Sequence, residues 1–228
     1  MAHPGDVLEH PSFGVRMTFL ETAEETNGEL MRVEVVLPPK FSMAEHVHPR
    51  QEERHRVLSG TLTARVGGHE REYTVGEQVI GPPNVPHAWR NASSHETLRI
   101  VSEHRPVLHM ELMLEAGSAI GCDFEANKKG ALKQLLRMAV LMDEIKDDFY
   151  FTGLSMRLLM ASLVALAPVG RRLGYRTAYQ DFGGHVAAAR RETRPRSSST
   201  AVLAGVALTA VVAAGLVGIW QQRRSQNA

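Results

Sequence analysis

Two short blocks constrain what this chain can fold into more than any property of the whole. Residues 45–60 read EHVHPRQEERHRVLSG and residues 76–91 read GEQVIGPPNVPHAWRN. His46 and His48 are two residues apart, so on a strand both imidazoles leave one face and can share an ion. Glu53 and His87 would complete a shell of three histidines and one carboxylate, a donor set that suits first-row divalent metals. Glu52 competes for the carboxylate position, but strand alternation turns it the other way from Glu53.

Read as patterns, the first block is His, any, His, four residues, Glu, six residues, Gly. The second is Gly, five residues, Pro, any, Asn, two residues, His, three residues, Asn. Together they resemble the paired motifs of the cupin superfamily. The resemblance implies an all-β jelly-roll barrel and a divalent metal (iron, manganese, nickel or zinc) held by His46, His48, Glu53 and His87. The spacing from Glu53 to Gly60 also fits that pattern. Asn84 departs from it where the family usually has Gly in a turn, and Asn is the next best residue at positive φ. His55 shares the inward face of Glu53 where cupins more often carry an aromatic or apolar residue. It is a candidate for hydrogen bonding to a ligand or substrate, the other reading being an exposed or merely packed histidine. Trp89 is expected as a core or pocket wall, Asn91 as a structural residue, and Arg56 and Arg65 as solvated.

Before the first block, two strand-like runs flank an Asn27-Gly28 hairpin signal, and Val33, Val35 and Leu37 form one apolar face. Val57, Leu62, Ala64 and Val66 are inward candidates, with Gly67-Gly68 as the next turn. Residues 97–102 and 107–114 are expected as closing strands, separated by His104, Arg105 and Pro106. Such short strands between Gly, Pro and Asn turns fit a closed or sandwiched β domain. The cupin barrel is assigned to residues 1–125.

A helical extension is assigned to residues 126–179. Leu132, Leu135, Leu136, Ala139 and Val140 recur at helical spacing with Lys133 and Arg137 outside them, which predicts an amphipathic helix over 131–147. Residues 158–167, LLMASLVALA, are apolar all round but too short to cross a bilayer, which takes about 20 residues. A buried or interfacial helix ended by Pro168, Gly170, Arg171 and Arg172 is expected there. With the following APVGRRLGYRTAY, this part resembles the carboxy-terminal extension of a subgroup of bacterial cupin-domain proteins.

Residues 180–200 form a polar, basic linker. Residues 201–220, AVLAGVALTAVVAAGLVGIW, carry no charge, and as a helix would rise about 30 Å, enough to span hydrocarbon. A transmembrane helix is expected there, followed by a tail over 221–228. Arg190, Arg191, Arg194 and Arg196 precede it and only Arg223 and Arg224 follow, so the positive-inside rule places the amino side, and the cupin, in the cytoplasm.

Charge agrees with this division. Residues 1–125 hold 11 Lys and Arg against 19 Asp and Glu, and residues 126–228 hold 15 against 6. The basic excess lies near the expected span, where topology and anionic lipid explain it better than nucleic acid. No secretory signal is legible in the first twenty residues, which carry Asp6, Glu9 and Arg16. The single cysteine, Cys122, excludes an internal disulfide and reads as a small apolar filler. Three readings of function follow: a metal-dependent enzyme of the dioxygenase, isomerase or decarboxylase kind, a non-catalytic module that senses or binds a small ligand at the membrane, or a scaffold there that keeps the ligands of the fold only for stability. The amphipathic helix needs a surface to cover, either the barrel or a second copy in a homodimer.

Overall fold

The computed structural model describes residues 2–10, 13–126 and 130–177. The linker, the expected transmembrane helix and the tail over 180–228 lie outside the described residues. Two antiparallel sheets pack face to face. The first runs β1 (Val7–His10), β2 (Val15–Glu21), β3 (Met31–Leu37), β10 (Leu98–Arg105), β5 (Glu52–Ser59), β8 (Gln78–Gly81). The second runs β11 (Tyr150–Phe151), β4 (Ser42–Val47), β9 (His87–Asn91), β6 (Leu62–Val66), β7 (His69–Tyr73). This is a jelly-roll β-sandwich. Its crossing connections place β5 between β10 and β8 in one sheet and β9 between β4 and β6 in the other. The two blocks thus lie side by side, β4 paired with β9 in one sheet and β5 with β8 in the other.

Local chemistry explains the turns. Asn27 and Gly28 both take positive φ, 52° and 79°, in the loop that returns β2 to β3. Asn84 sits at φ 62°, so the turn that usually carries Gly is kept by Asn. Along β3 the burial alternates strictly, Met31, Val33, Val35 and Leu37 inward. Those four join Phe19, Leu62, Leu98 and Ile100 in one core. Burying each such side chain favours the folded state by roughly 1.5–3 kcal/mol.

Among the described residues three helices follow: α1 (Met110–Ala126), α2 (Ala131–Ile145) and α3 (Leu154–Arg172). Four expectations are corrected here. Residues 107–114 are not a closing strand: β10 runs through His104 to Arg105, and α1 starts at Met110, inside the stretch assigned to the barrel. The helix expected over 131–147 stops at Ile145. Within it Leu132 is exposed, while Arg137 is buried and bonded to Asp123 of α1 and to Gln134. The helix is packed on two sides, by α1 and α3, so more of its circumference is covered than a single apolar stripe allows for.

The fourth correction concerns α3, which extends well beyond residues 158–167 and carries Pro168 inside it. With 19 residues and a mean hydropathy of 1.3 it is long and apolar enough to cross a membrane by length and composition. Leu163, Ala167 and Gly170 face the helical core, whereas Leu154, Leu158 and Leu173 are 74%, 60% and 62% exposed. Gly170 lets α3 approach α2 closely: a Cβ there would lie 2.9 Å from the Leu136 carbonyl oxygen and 2.7 Å from Val140.

Candidate metal centre

His46 is the last residue but one of β4, His48 follows that strand immediately, Glu53 is the second residue of β5 and His87 opens β9. The antiparallel pairing of β4 with β9 sets His46 directly opposite His87. The four side chains are buried, and their ligand-capable atoms lie within 4.8 Å of one another. Donors about 2.1 Å from one ion sit about 3–4 Å apart, so a small adjustment closes them around a metal.

The orientation of the rings is the stronger test. His46 Nδ1 is 2.8 Å from the Ala44 carbonyl oxygen and His87 Nδ1 is 2.8 Å from that of Val85. His48 Nδ1 is 3.2 Å from the Asp148 carbonyl oxygen. A carbonyl only accepts, so each Nδ1 carries a proton and each ring turns its Nε2 to the interior, the atom that would ligate an ion once it gives up any proton shared with Glu53. Gly81 makes room for this: a Cβ there would be 2.9 Å from His87 Nδ1. The residues present therefore fit a divalent ion.

Glu53 is the hub. Its Oε2 lies 2.9 Å from His87 Nε2 and 3.4 Å from His46 Nε2. Its Oε1 lies 3.3 Å from both His55 Nε2 and His104 Nε2. Burial pushes the Glu53 carboxyl up, but His55, His104 and His46 outweigh it and hold the group well below the usual carboxylate range. Burial pushes His48 down to about 3 against the pull of Glu53, with His46, His104 and His87 adding to the fall. For His87 burial works downward, but the hydrogen bond and charge of Glu53 leave it raised. The centre is thus an ionised carboxylate among imidazoles, His48 firmly neutral.

Glu52 faces away and pairs with Arg54 at 2.8 Å. His55 is buried behind Glu53 with its Nδ1 2.9 Å from Ser102 Oγ, and its ring meets Trp89 edge-on at 4.9 Å. Trp89 is part of the core and stacks on Phe41. Asn91 donates to the carbonyls of Pro38 and Glu96, tying the strand end down. Arg56 is exposed, and Arg65 pairs with Glu45 at the surface. Cys122 donates to the Glu9 carbonyl, and burial with Asp123 and Glu9 nearby pushes its thiol up, away from reactivity.

Sequence reading missed His104, which was placed in a connector. On β10 the alternation Leu98, Ile100, Ser102, His104 points inward throughout, and following it two residues further would have found the residue. It also missed Asp148, which joins the parts of the site. Its carbonyl holds His48, and its carboxylate accepts from Arg50 and from His109 Nδ1 at 2.6 Å. Burial raises the Asp148 carboxyl, but those hydrogen bonds win and leave it depressed. The next residue, Phe149, packs its ring 5.2 Å from His46 and 5.5 Å from His48.

A two-sheet jelly roll with an inward His and Glu cluster at one end defines a class of β-sandwich with a metal-competent interior. A family model described as Cupin domain matches residues 33–102, from β3 into β10, and includes all four candidate ligands with His55. The chain contains a cupin domain. Among solved structures it is similar to an RmlC-like cupin from Shewanella frigidimarina, with 21% identity, TM-score 0.40, and 46% of this chain and 92% of that one covered. It is also similar to KdgF from a Halomonas species, with 17% identity, TM-score 0.36, and 41% and 79% covered. A predicted oxalate decarboxylase from Thermotoga maritima shows 19% identity, TM-score 0.38, and 40% and 80% covered. No curated protein matches the chain.

Proposed function

We propose that this protein is a metal-dependent cupin held at the cytoplasmic face of a membrane, where its centre binds and acts on a small molecule. The observation that carries the reading is the backbone anchoring of three imidazoles, each through Nδ1, which turns three Nε2 atoms and the Glu53 carboxylate toward one another in a buried space. A bound iron, manganese, nickel or zinc ion supplies Lewis-acid polarisation or, for a redox-active ion, oxygen activation. His46, His48, Glu53 and His87 hold it. His55 and His104 steady the carboxylate from its other oxygen, and Phe149 keeps water from the His46 and His48 side.

Protein purified without added metal is expected to contain close to one divalent ion per chain by elemental analysis. His46→Ala and His87→Ala should each lose most of it while staying folded by circular dichroism. A metal-free wild type would defeat the reading. Oxygen consumption by the loaded protein separates an enzyme from a sensor, which should consume none.

The tether rests on the uncharged run over 201–220 and the arginine bias toward its amino side. Deleting residues 201–228 is expected to move the protein from the membrane fraction to the soluble one. Unchanged partitioning would refute the anchor.

A further inference from the structure

Beside the cluster lies a cavity of about 160 Å3, comparable with the roughly 150 Å3 apolar cavity that accepts benzene. Its polar end is His46, His48, Glu53 and His104. Its roof comes from the helical part: Met110 and Met113 on α1, Met138 and Met142 on α2, and Phe149 and Phe151 at β11. Among the described lining residues there is no lysine or arginine, and Glu53 is the one carboxylate. The extension thus turns the end of the barrel into an apolar chamber.

We propose that this chamber takes an apolar monocarboxylate, its carboxylate toward the metal centre and its hydrocarbon body among the methionines and phenylalanines. The proposal rests on the metal-binding reading above. A divalent ion with Glu53 and neutral imidazoles keeps one uncompensated positive charge, and in apolar surroundings a buried charge demands a partner. An anionic oxygen head supplies it. Methionine side chains are unbranched and adapt to a flexible chain. A sugar or a dicarboxylate would instead set several further polar groups against a wall of mostly apolar side chains, where among the described lining residues beyond the cluster only His10, Ser102 and Ser118 are polar.

Gly117 on α1 supplies the test, because it lines the cavity and a Cβ there meets nothing within 4 Å. Gly117→Phe fills the chamber, and Gly117→Leu fills less of it. Labelled octanoate and labelled succinate are equilibrated by dialysis against the metal-loaded full chain and both variants in one detergent buffer, with metal content measured on every sample. Octanoate is expected to bind the wild type, at least tenfold more weakly to Gly117→Phe and to an intermediate extent to Gly117→Leu, at equal metal content, with succinate unbound. Equal octanoate binding by wild type and Gly117→Phe shows partition into detergent and overturns the proposal, as does succinate binding as tightly as octanoate. A metal-loaded protein that ignores octanoate overturns this proposal alone. A chain that takes up no metal defeats the underlying reading, and octanoate binding unchanged without metal overturns the placement of the carboxylate.

Discussion

Chelator treatment is expected to lower the melting temperature of the metal-loaded protein by roughly 10 °C. A ligand that binds only the folded state stabilises it by about 4 kcal/mol when present at a thousandfold excess over its Kd. In a chain of this size each kcal/mol moves the midpoint by about 2–4 °C. The stripped protein should still fold, because Glu53 keeps its contacts with His46, His55, His87 and His104 when no ion is bound. The fall therefore measures linkage to the ion rather than collapse of the site. Differential scanning calorimetry with and without EDTA checks it, and His46→Ala should melt at one temperature in both buffers. A wild type indifferent to chelator and to added metal would show that the cluster is a histidine-caged carboxylate that serves packing alone.

The ligand candidates were legible because a shared ion forces its donors into fixed spacing on strands, and spacing is what a sequence displays. His46, His48, Glu53 and His87 needed only period-two alternation and two turn patterns. His104 was lost because its strand was ended at Ser102, one inward position too soon. Asp148 left no trace of its hold on His48, since the contact uses a backbone carbonyl that every residue owns. The stretch 107–114 was misread because VLHMELML alternates apolar and polar residues well enough to suggest a strand, and only its continuation into MELMLEAGSAIG reveals the helical period. For α2, a single-stripe reading assumed one partner. The helix has two, and so Arg137 lies inside with Asp123 while Leu132 lies outside.

Two glycines in turns at either end of β6 offer the other large effect, and a built-in control. Gly60→Ala is expected to cost about 3 kcal/mol and Gly68→Ala about 1 kcal/mol. Both hold nearly the same conformation, φ +81° and +86°, so both substitutions carry the strain of a Cβ in the left-handed region. They differ in surroundings. Around Gly68 a Cβ meets nothing within 4 Å, whereas at Gly60 it would lie 3.0 Å from the Thr97 carbonyl oxygen and 3.2 Å from Leu98 Cα. Both are backbone atoms of the chain entering β10. That strand cannot step back, because Leu98 is fully buried and paired with Leu37, and the same strand carries Ser102 and His104 to the candidate metal centre. Denaturant unfolding of the metal-free wild type and both variants gives the difference directly. Equal losses at the two sites would mean that φ strain alone sets the cost and that β10 yields to a methyl group at Gly60. A loss about 2 kcal/mol larger at Gly60 would identify close backbone approach as the second reason the block ends in glycine.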